Sequence, residues 1–122
     1  MKPEFDGDKA IYLQIAESIE DDILQENVAE ESQAPSTNQL AVMYRINPAT
    51  AAKGVNLLVH EGILYKKRGI GMFVASGAVK KIREKRRREF HEKYVVPLLE
   101  EASNLDISEN DVIDMIRKTG NT

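Results

Sequence analysis

Cysteine and tryptophan are both absent from this 122-residue chain, and histidine occurs only at positions 60 and 91. Lack of cysteine excludes disulfides and thiolate metal sites, and it fits a cytoplasmic location. Two histidines with no cysteine form no metal-ligand spacing. His60 and Glu61 sit beside Gly62 at the end of a helical pattern, where they read as a C-terminal cap interaction rather than an acid–base pair. The sequence therefore predicts no enzyme, no metal and no cofactor. Long apolar runs are missing too. None approaches the roughly 20 residues that a membrane helix needs, so no membrane partner is expected. The opening "MKPEFDGDKA" does not read as a signal peptide.

What is present is an ordinary folding composition, 42% hydrophobic and 30% charged, sized for one small domain with an appendage. The formal net charge of −3 conceals a strong segregation. Residues 1–35 carry 2 basic and 10 acidic side chains, whereas residues 36–77 carry 5 and 1. Residues 78–93 are again basic, with 8 against 3, and residues 94–122 acidic, with 2 against 6. Salt screens charges separated by more than about 10 Å, so an acidic protein whose cations share one face can still bind a polyanion.

Hydrophobic spacing predicts the elements. In "AIYLQIAESIEDDILQ", Ile11, Ile15, Ile19 and Ile23 recur every fourth residue, with Tyr12 and Leu24 alongside, which makes one apolar stripe on a helix. "ENVAEESQ" reads as a polar connection. Pro35 and Ser36 then open a short helix, with Ser36 and Gln39 spaced as a capping box. Leu40, Ala41, Met43 and Tyr44 give that helix a buried side. Only Arg45 and Ile46 intervene before Asn47, an N-cap residue, and Pro48 at the first helical position. The second helix runs through Val55, Leu58 and Val59 to Gly62, placed for the left-handed position after a helix end. Two short helices joined by a tight turn form a helix-turn-helix.

"ILYKKRGIGMFVAS" changes period to two β-prone runs around a glycine-containing loop, a hairpin with a basic tip. The fold expected is mainly α with a small β-hairpin: a winged helix-turn-helix domain over 1–77 followed by a short two-helix dimerisation tail over 78–122. In the tail a very basic helix continues into an apolar stripe, and Pro97 should kink it by interrupting its backbone bonding. Ser108 with Asp111 caps a last helix. These helices are too short to build their own core. Phe90, Tyr94, Leu98, Leu99, Val112, Met115 and Ile116 are therefore expected to meet the same residues of a second copy, making a homodimer.

The segment "NPATAAKGVNLL" indicates the partner. DNA-reading helices enter the major groove by their N-terminal residues, where bulky side chains would hold the backbone off the base edges. Ala49, Ala51 and Ala52 are small and can touch a thymine methyl. Thr50 can donate to a phosphate, and Lys53, one turn later, can reach a guanine or the backbone. The competing reading is a plain pair of packed helices. In "KKRGIG", Gly69 and Gly71 permit close approach to a phosphate backbone while Lys67 and Arg68 supply charge. Alone, that loop would be an ordinary surface hairpin. "KKIREKRRR" is either a solvated helix face or a salt-dependent contact to flanking DNA.

Assembled as "APSTNQLAVMYRINPATAAKGVNLLVHEGILYKKRGIGMFV", the segment closely resembles the DNA-binding domain of GntR-family bacterial transcription regulators. The Asn-Pro-x-Thr opening, the Tyr-x-x-Arg-Gly wing and the short tail look like the YtrA subfamily. The resemblance implies a dimer on double-stranded DNA with an inverted-repeat operator, usually a repressor of its own or a transporter operon. By position it places DNA contacts at Asn38, Asn47, Ala49, Thr50 and Lys53, with Gly69 and Gly71 in the wing. Ser36, Lys67 and Arg68 complete the candidate set. Asn38 stands where many members have arginine, and Ala52 where many have arginine or glutamine. Ala34 replaces the usual leucine before Pro35. The tail is too small for the large effector domain of most relatives. A small-molecule effector of unknown identity would have to bind at the dimer interface or between tail and DNA-binding domain. The rival from another class is a winged-helix protein-interaction adaptor without specific DNA binding. A third reading is a small-molecule sensor that has lost DNA affinity.

Overall fold

The computed structural model describes Gly7 and residues 9–121. Most of the opening segment read above against a leader peptide lies outside the described residues. The chain divides into two compact units, 1–83 and 84–122.

In the first unit, α1 (Ile11–Leu24), α2 (Thr37–Tyr44) and α3 (Pro48–His60) precede a hairpin of β1 (Leu64–Lys67) and β2 (Gly71–Val74). α4 (Ala78–Phe90) begins in this unit, and the division falls within it. It lies beyond residue 77 because Ala78 and Ile82 are fully buried in the same core as the helices before them.

The core follows from the stripes. Ile15, Ile19 and Ile23 of α1 bury against Leu40, Ala41 and Tyr44 of α2 and Val55 and Leu58 of α3, closed by Ile63, Leu64 and Val74. Burying each large aliphatic side chain contributes about 1.5–3 kcal/mol. Ile11, at the start of the α1 stripe, and Met43 of α2 lie outside this core and are exposed.

α1 and α3 are tightly apposed at Gly54. A Cβ there would lie 2.7 Å from the Tyr12 carbonyl oxygen and 3.1 Å from Ile15 Cγ2. Ala51, one turn earlier, is 0% exposed. Its small side chain therefore faces the protein and not a ligand, contrary to the expectation that all three alanines keep a duplex-facing surface clear.

Capping is as the sequence predicts. Ser36 Oγ accepts from the Gln39 N–H at 3.0 Å while the Ser36 N–H donates to Gln39 Oε1 at 2.8 Å. Asn47 Oδ1 accepts from the Ala49 N–H at 2.8 Å, and Gly62 takes a φ of 75°. Between the two helices Arg45 is left-handed, φ 54°, although it carries a side chain. Its N–H bonds to the Val42 carbonyl and Ile46 bonds back to Ala41, so the tight turn enforces that conformation against its steric cost.

The hairpin pairs Leu64 with Val74, Tyr65 with Phe73, Lys66 with Met72 and Lys67 with Gly71, antiparallel. The polar connection before α2 is more than a linker. Glu31 N–H donates to Val74 O, Val74 N–H to Ser32 O and Ala34 N–H to Met72 O, laying residues 31–34 along the free edge of β2. A bridge between Gln33 and Phe73 marks the same contact. No β-run in the sequence announces this pairing, because its affinity comes from backbone groups.

Glu30, in the same connection, caps α4. Its carboxylate accepts from the Gly77 N–H at 2.8 Å and the Val79 N–H at 3.1 Å. These two bonds, Gly77 first, hold its pKa below the ordinary carboxylate value. Lys81 of α4 donates to the Gly62 carbonyl, so one cation of the basic run closes the exit of α3.

The second unit continues α4 into a π-helical stretch, His91–Val95, then α5 (Val96–Asn104) and α6 (Glu109–Gly120). Pro97 lacks the N–H that would continue α-helical bonding. Instead of a break, the chain widens just before the proline, and the Val96 N–H bonds to the His91 carbonyl five residues back. Ser108 Oγ accepts from the Asp111 N–H at 3.1 Å and caps α6. Val112 is only 5% exposed, already covered within this unit together with Ala102. So little exposed area leaves it little surface for a contact to a second copy.

Gly54→Ala tests the α1–α3 approach. Alanine gains roughly 1 kcal/mol over glycine in a helix interior, but a clash with backbone in a filled core typically costs about 1–3 kcal/mol. The variant should melt at lower temperature, whereas an open site would give a higher one. For Glu30 the sign follows from its depressed pKa. The folded state binds the proton less readily, so the contribution is full above the unfolded pKa and is lost as pH falls through the folded value. Glu30→Gln should therefore be less stable at neutral pH, and the gap should narrow in thermal melts as the pH is lowered through and below the ordinary carboxylate range.

Candidate nucleic-acid interface

The outward face of α3 is built by subtraction. With Ala51, Gly54, Val55 and Leu58 turned to the core, the exposed stripe reads Ala49, Lys53, Asn56 and His60, recurring at helical spacing. Asn47 and Pro48 are exposed ahead of it, and Thr50 is half-buried on its flank. The Thr50 N–H turns back to the Asn47 carbonyl. Asn47 spends its side-chain oxygen on the cap, leaving its amide N–H groups for other partners. The first turn thus presents small side chains and the positive end of a helix dipole, which favour close contact with an anion.

Lys53 is not a free tether. Its Nζ lies 4.1 Å from the centroid of the Tyr12 ring, contributed by α1. By its spacing Tyr12 belongs only to the apolar stripe of α1. Nothing in the local pattern pairs it with a lysine so distant in the chain, and only the packing of α1 on α3 does so.

The wing is also more differentiated than its composition. Lys67 Nζ lies 4.0 Å from the Phe73 ring centroid and 5.9 Å from that of Tyr65, and the two rings are 6.0 Å apart. Its cation is therefore seated on the hairpin's own aromatic face. The Tyr65 hydroxyl donates to Glu31 Oε2 at 3.0 Å. Burial, then the bond and charge of Glu31, push the Tyr65 pKa up. Lys66 and Arg68 remain exposed. At the tip, Gly69 has φ 79° and Gly71 φ 138°, values that a side chain would strain. A Cβ on Gly71 would lie 2.8 Å from Gln33 Nε2, which donates to the Ile70 carbonyl at 3.2 Å. The edge segment thus clamps the tip, and Ile70 itself projects exposed between the two glycines.

On α2, Ser36 is engaged in its capping box, while Asn38 is exposed. Asn38 lines an open depression of about 590 Å³ with Pro35, Gln39, Val42 and Met43. Val42 is 80% exposed, an apolar surface that the helical pattern alone did not announce. Both α2 and β1 pack on α3, and β2 pairs with β1, so the candidate residues lie on these elements, at their N-caps or in the hairpin loop. Among the described residues, no three His, Asp or Glu side chains gather as metal ligands, and no helix is long and apolar enough to cross a membrane.

In the tail, Phe90, Tyr94, Leu98, Leu99, Met115 and Ile116 are exposed, Phe90 by 60% and Ile116 by 58%. The Phe90 and Tyr94 rings pack at 5.5 Å, leaving their outer faces open.

Comparison with known proteins bears on this geometry. Residues 11–74 match the family described as bacterial regulatory proteins, gntR family. Bacillus subtilis (strain 168) YhcF, an HTH-type transcriptional regulator, is 30% identical over 102 residues, covering 82% of this chain and 84% of YhcF. Among solved structures, a GntR-family transcriptional regulator from Bacteroides thetaiotaomicron superposes with a TM-score of 0.78 at 37% identity, over 90% of this chain and 96% of that one. YtrA from Sulfolobus acidocaldarius, a GntR-family transcription factor, has a TM-score of 0.58 at 25% identity, over 99% and 97%. The DNA-binding domain of AraR in complex with operator ORR3 has a TM-score of 0.51 at 33% identity, over 52% and 77%.

Proposed function

The chain belongs to the GntR family of bacterial regulatory proteins, and from that premise we propose that it is a cytoplasmic, homodimeric repressor of the YtrA kind, acting on an inverted-repeat operator in its own or a transporter operon. The observation that carries this reading is the outward stripe of α3, with small residues in the first turn and Lys53 one turn on, held rigid by a buried face. AraR, whose DNA-binding domain is similar to part of this chain, was solved on its operator. The reading places α3 in the major groove. Ala49 and Thr50 approach the bases or phosphates, Asn38, Asn47 and Ser36 flank them, and the Lys67–Gly71 wing lies over the adjacent minor groove or its phosphates. Arg68 carries the wing's outward charge, while Lys67 stiffens the hairpin. The tail sets the half-site spacing by pairing Phe90, Tyr94, Leu98, Leu99, Met115 and Ile116 with a second copy.

One observation favours a rival. The apolar surface of Val42 and Met43 suits docking on a protein. Salt separates the two readings, because phosphate contacts release counterions and apolar docking does not.

Selection of duplexes from a random library with the full chain, followed by titration at rising salt, tests the DNA reading. Affinity should fall steeply with ionic strength. A phosphate role for Lys53 predicts that Lys53→Ala weakens all sequences alike and lowers the salt slope by about 1, whereas a guanine contact predicts discrimination of about 1–3 kcal/mol lost at one position. Failure to enrich any duplex overturns the reading. For the tail, Ile116→Glu should shift the chain from dimer to monomer in sedimentation equilibrium without lowering its helicity. A wild type already monomeric would refute the dimer.

A further inference from the structure

We propose that Tyr12 is a positioning residue for DNA recognition, holding the Lys53 ammonium in place above its ring before any duplex arrives. The proposal rests on the DNA reading above and assigns a role to a residue outside the elements expected to touch DNA.

Two contacts fix the pair. The Lys53 Nζ lies 4.1 Å from the Tyr12 ring centroid, within cation–π range. One residue further along α3, the Tyr12 carbonyl fills the space that a Cβ on Gly54 would need, at 2.7 Å. The backbone of Tyr12 is thus pressed onto α3 beside the lysine whose charge its ring carries. Ile15, one turn on, is fully buried and keeps α1 from sliding. Tyr12 itself is half-buried, so its ring belongs neither to the sealed core nor to open solvent.

A lysine side chain loses rotamer freedom when it is immobilised. A ring that already restricts Lys53 removes part of that cost from the binding step, which is how preorganisation raises affinity without a new contact. The ring attracts the cation through its face, so phenylalanine should serve as well as tyrosine, and an aliphatic side chain should not.

The test uses the full chain and the duplex enriched from the random library by the wild type. Tyr12→Leu should weaken binding roughly two- to fivefold, the range expected of an exposed cation–π pair, and Tyr12→Phe should bind as the wild type does. In a Lys53→Ala background Tyr12→Leu should have no further effect. A residue that merely supports the fold would weaken both backgrounds equally, and that result overturns the proposal. So does a Tyr12→Leu variant that binds as tightly as the wild type. An arm free of DNA and of mutant folding is the proton spectrum of the wild type. The Lys53 ε-methylene protons should be shifted upfield by the ring, and random-coil positions would refute the pairing. A wild type that enriches no duplex sinks the DNA reading, and the proposal with it. A wild type that does enrich one confines any failure to Tyr12.

Discussion

The close approach of α1 to α3 at Gly54 governs what the rest of this molecule can do. A glycine in mid-helix costs roughly 1 kcal/mol against alanine, and here it lets two helices meet where any side chain would strike the Tyr12 carbonyl. With α1 seated that closely, Ala51, Val55 and Leu58 turn inward, and the opposite face of α3 is forced outward as a stripe beginning at Ala49. The same approach carries the Tyr12 ring to Lys53. Core packing and the composition of the proposed DNA surface are thus two consequences of one contact.

The wing depends on a similar economy. Its strands are four residues each, too short to be independently stable. Residues 31–34 add backbone bonds along β2, Gln33 ties down the tip, and Glu30 links the same segment to the start of α4. An acidic, polar connection between two helices therefore organises the basic hairpin. Acidic residues near a surface meant for a polyanion would be costly if they faced it. Here Glu30 and Glu31 are engaged with backbone amides and the Tyr65 hydroxyl.

Helix limits, the caps of α2, α3 and α6, and the hairpin were legible in the sequence because each depends on neighbours within a few positions. Ser36 with Gln39, Asn47 with Pro48, and Ser108 with Asp111 carry their geometry in their spacing. The likeness of the chain to GntR regulators was legible for the same reason, since the motifs lie in one continuous stretch. Pro97 shows the limit of that logic. Its missing N–H was visible, but a helix has more than one way to accommodate it, and spacing alone does not select the widened turn at His91–Val95.

The sequence by itself determined the element order, the caps of α2, α3 and α6 and the polarity of each segment, all of them local properties of short windows. Tertiary structure alone decided which small residues serve the core and which the surface. Ala49 and Ala51 are chemically identical, yet two residues along a helix turn a side chain by more than half a revolution, and only contact with α1 says which of them is covered. It also decided that Val112 is covered and that Lys67 and Lys53 rest on aromatic rings. Those outcomes depend on distances between residues far apart in the chain, and residue spacing carries no record of them.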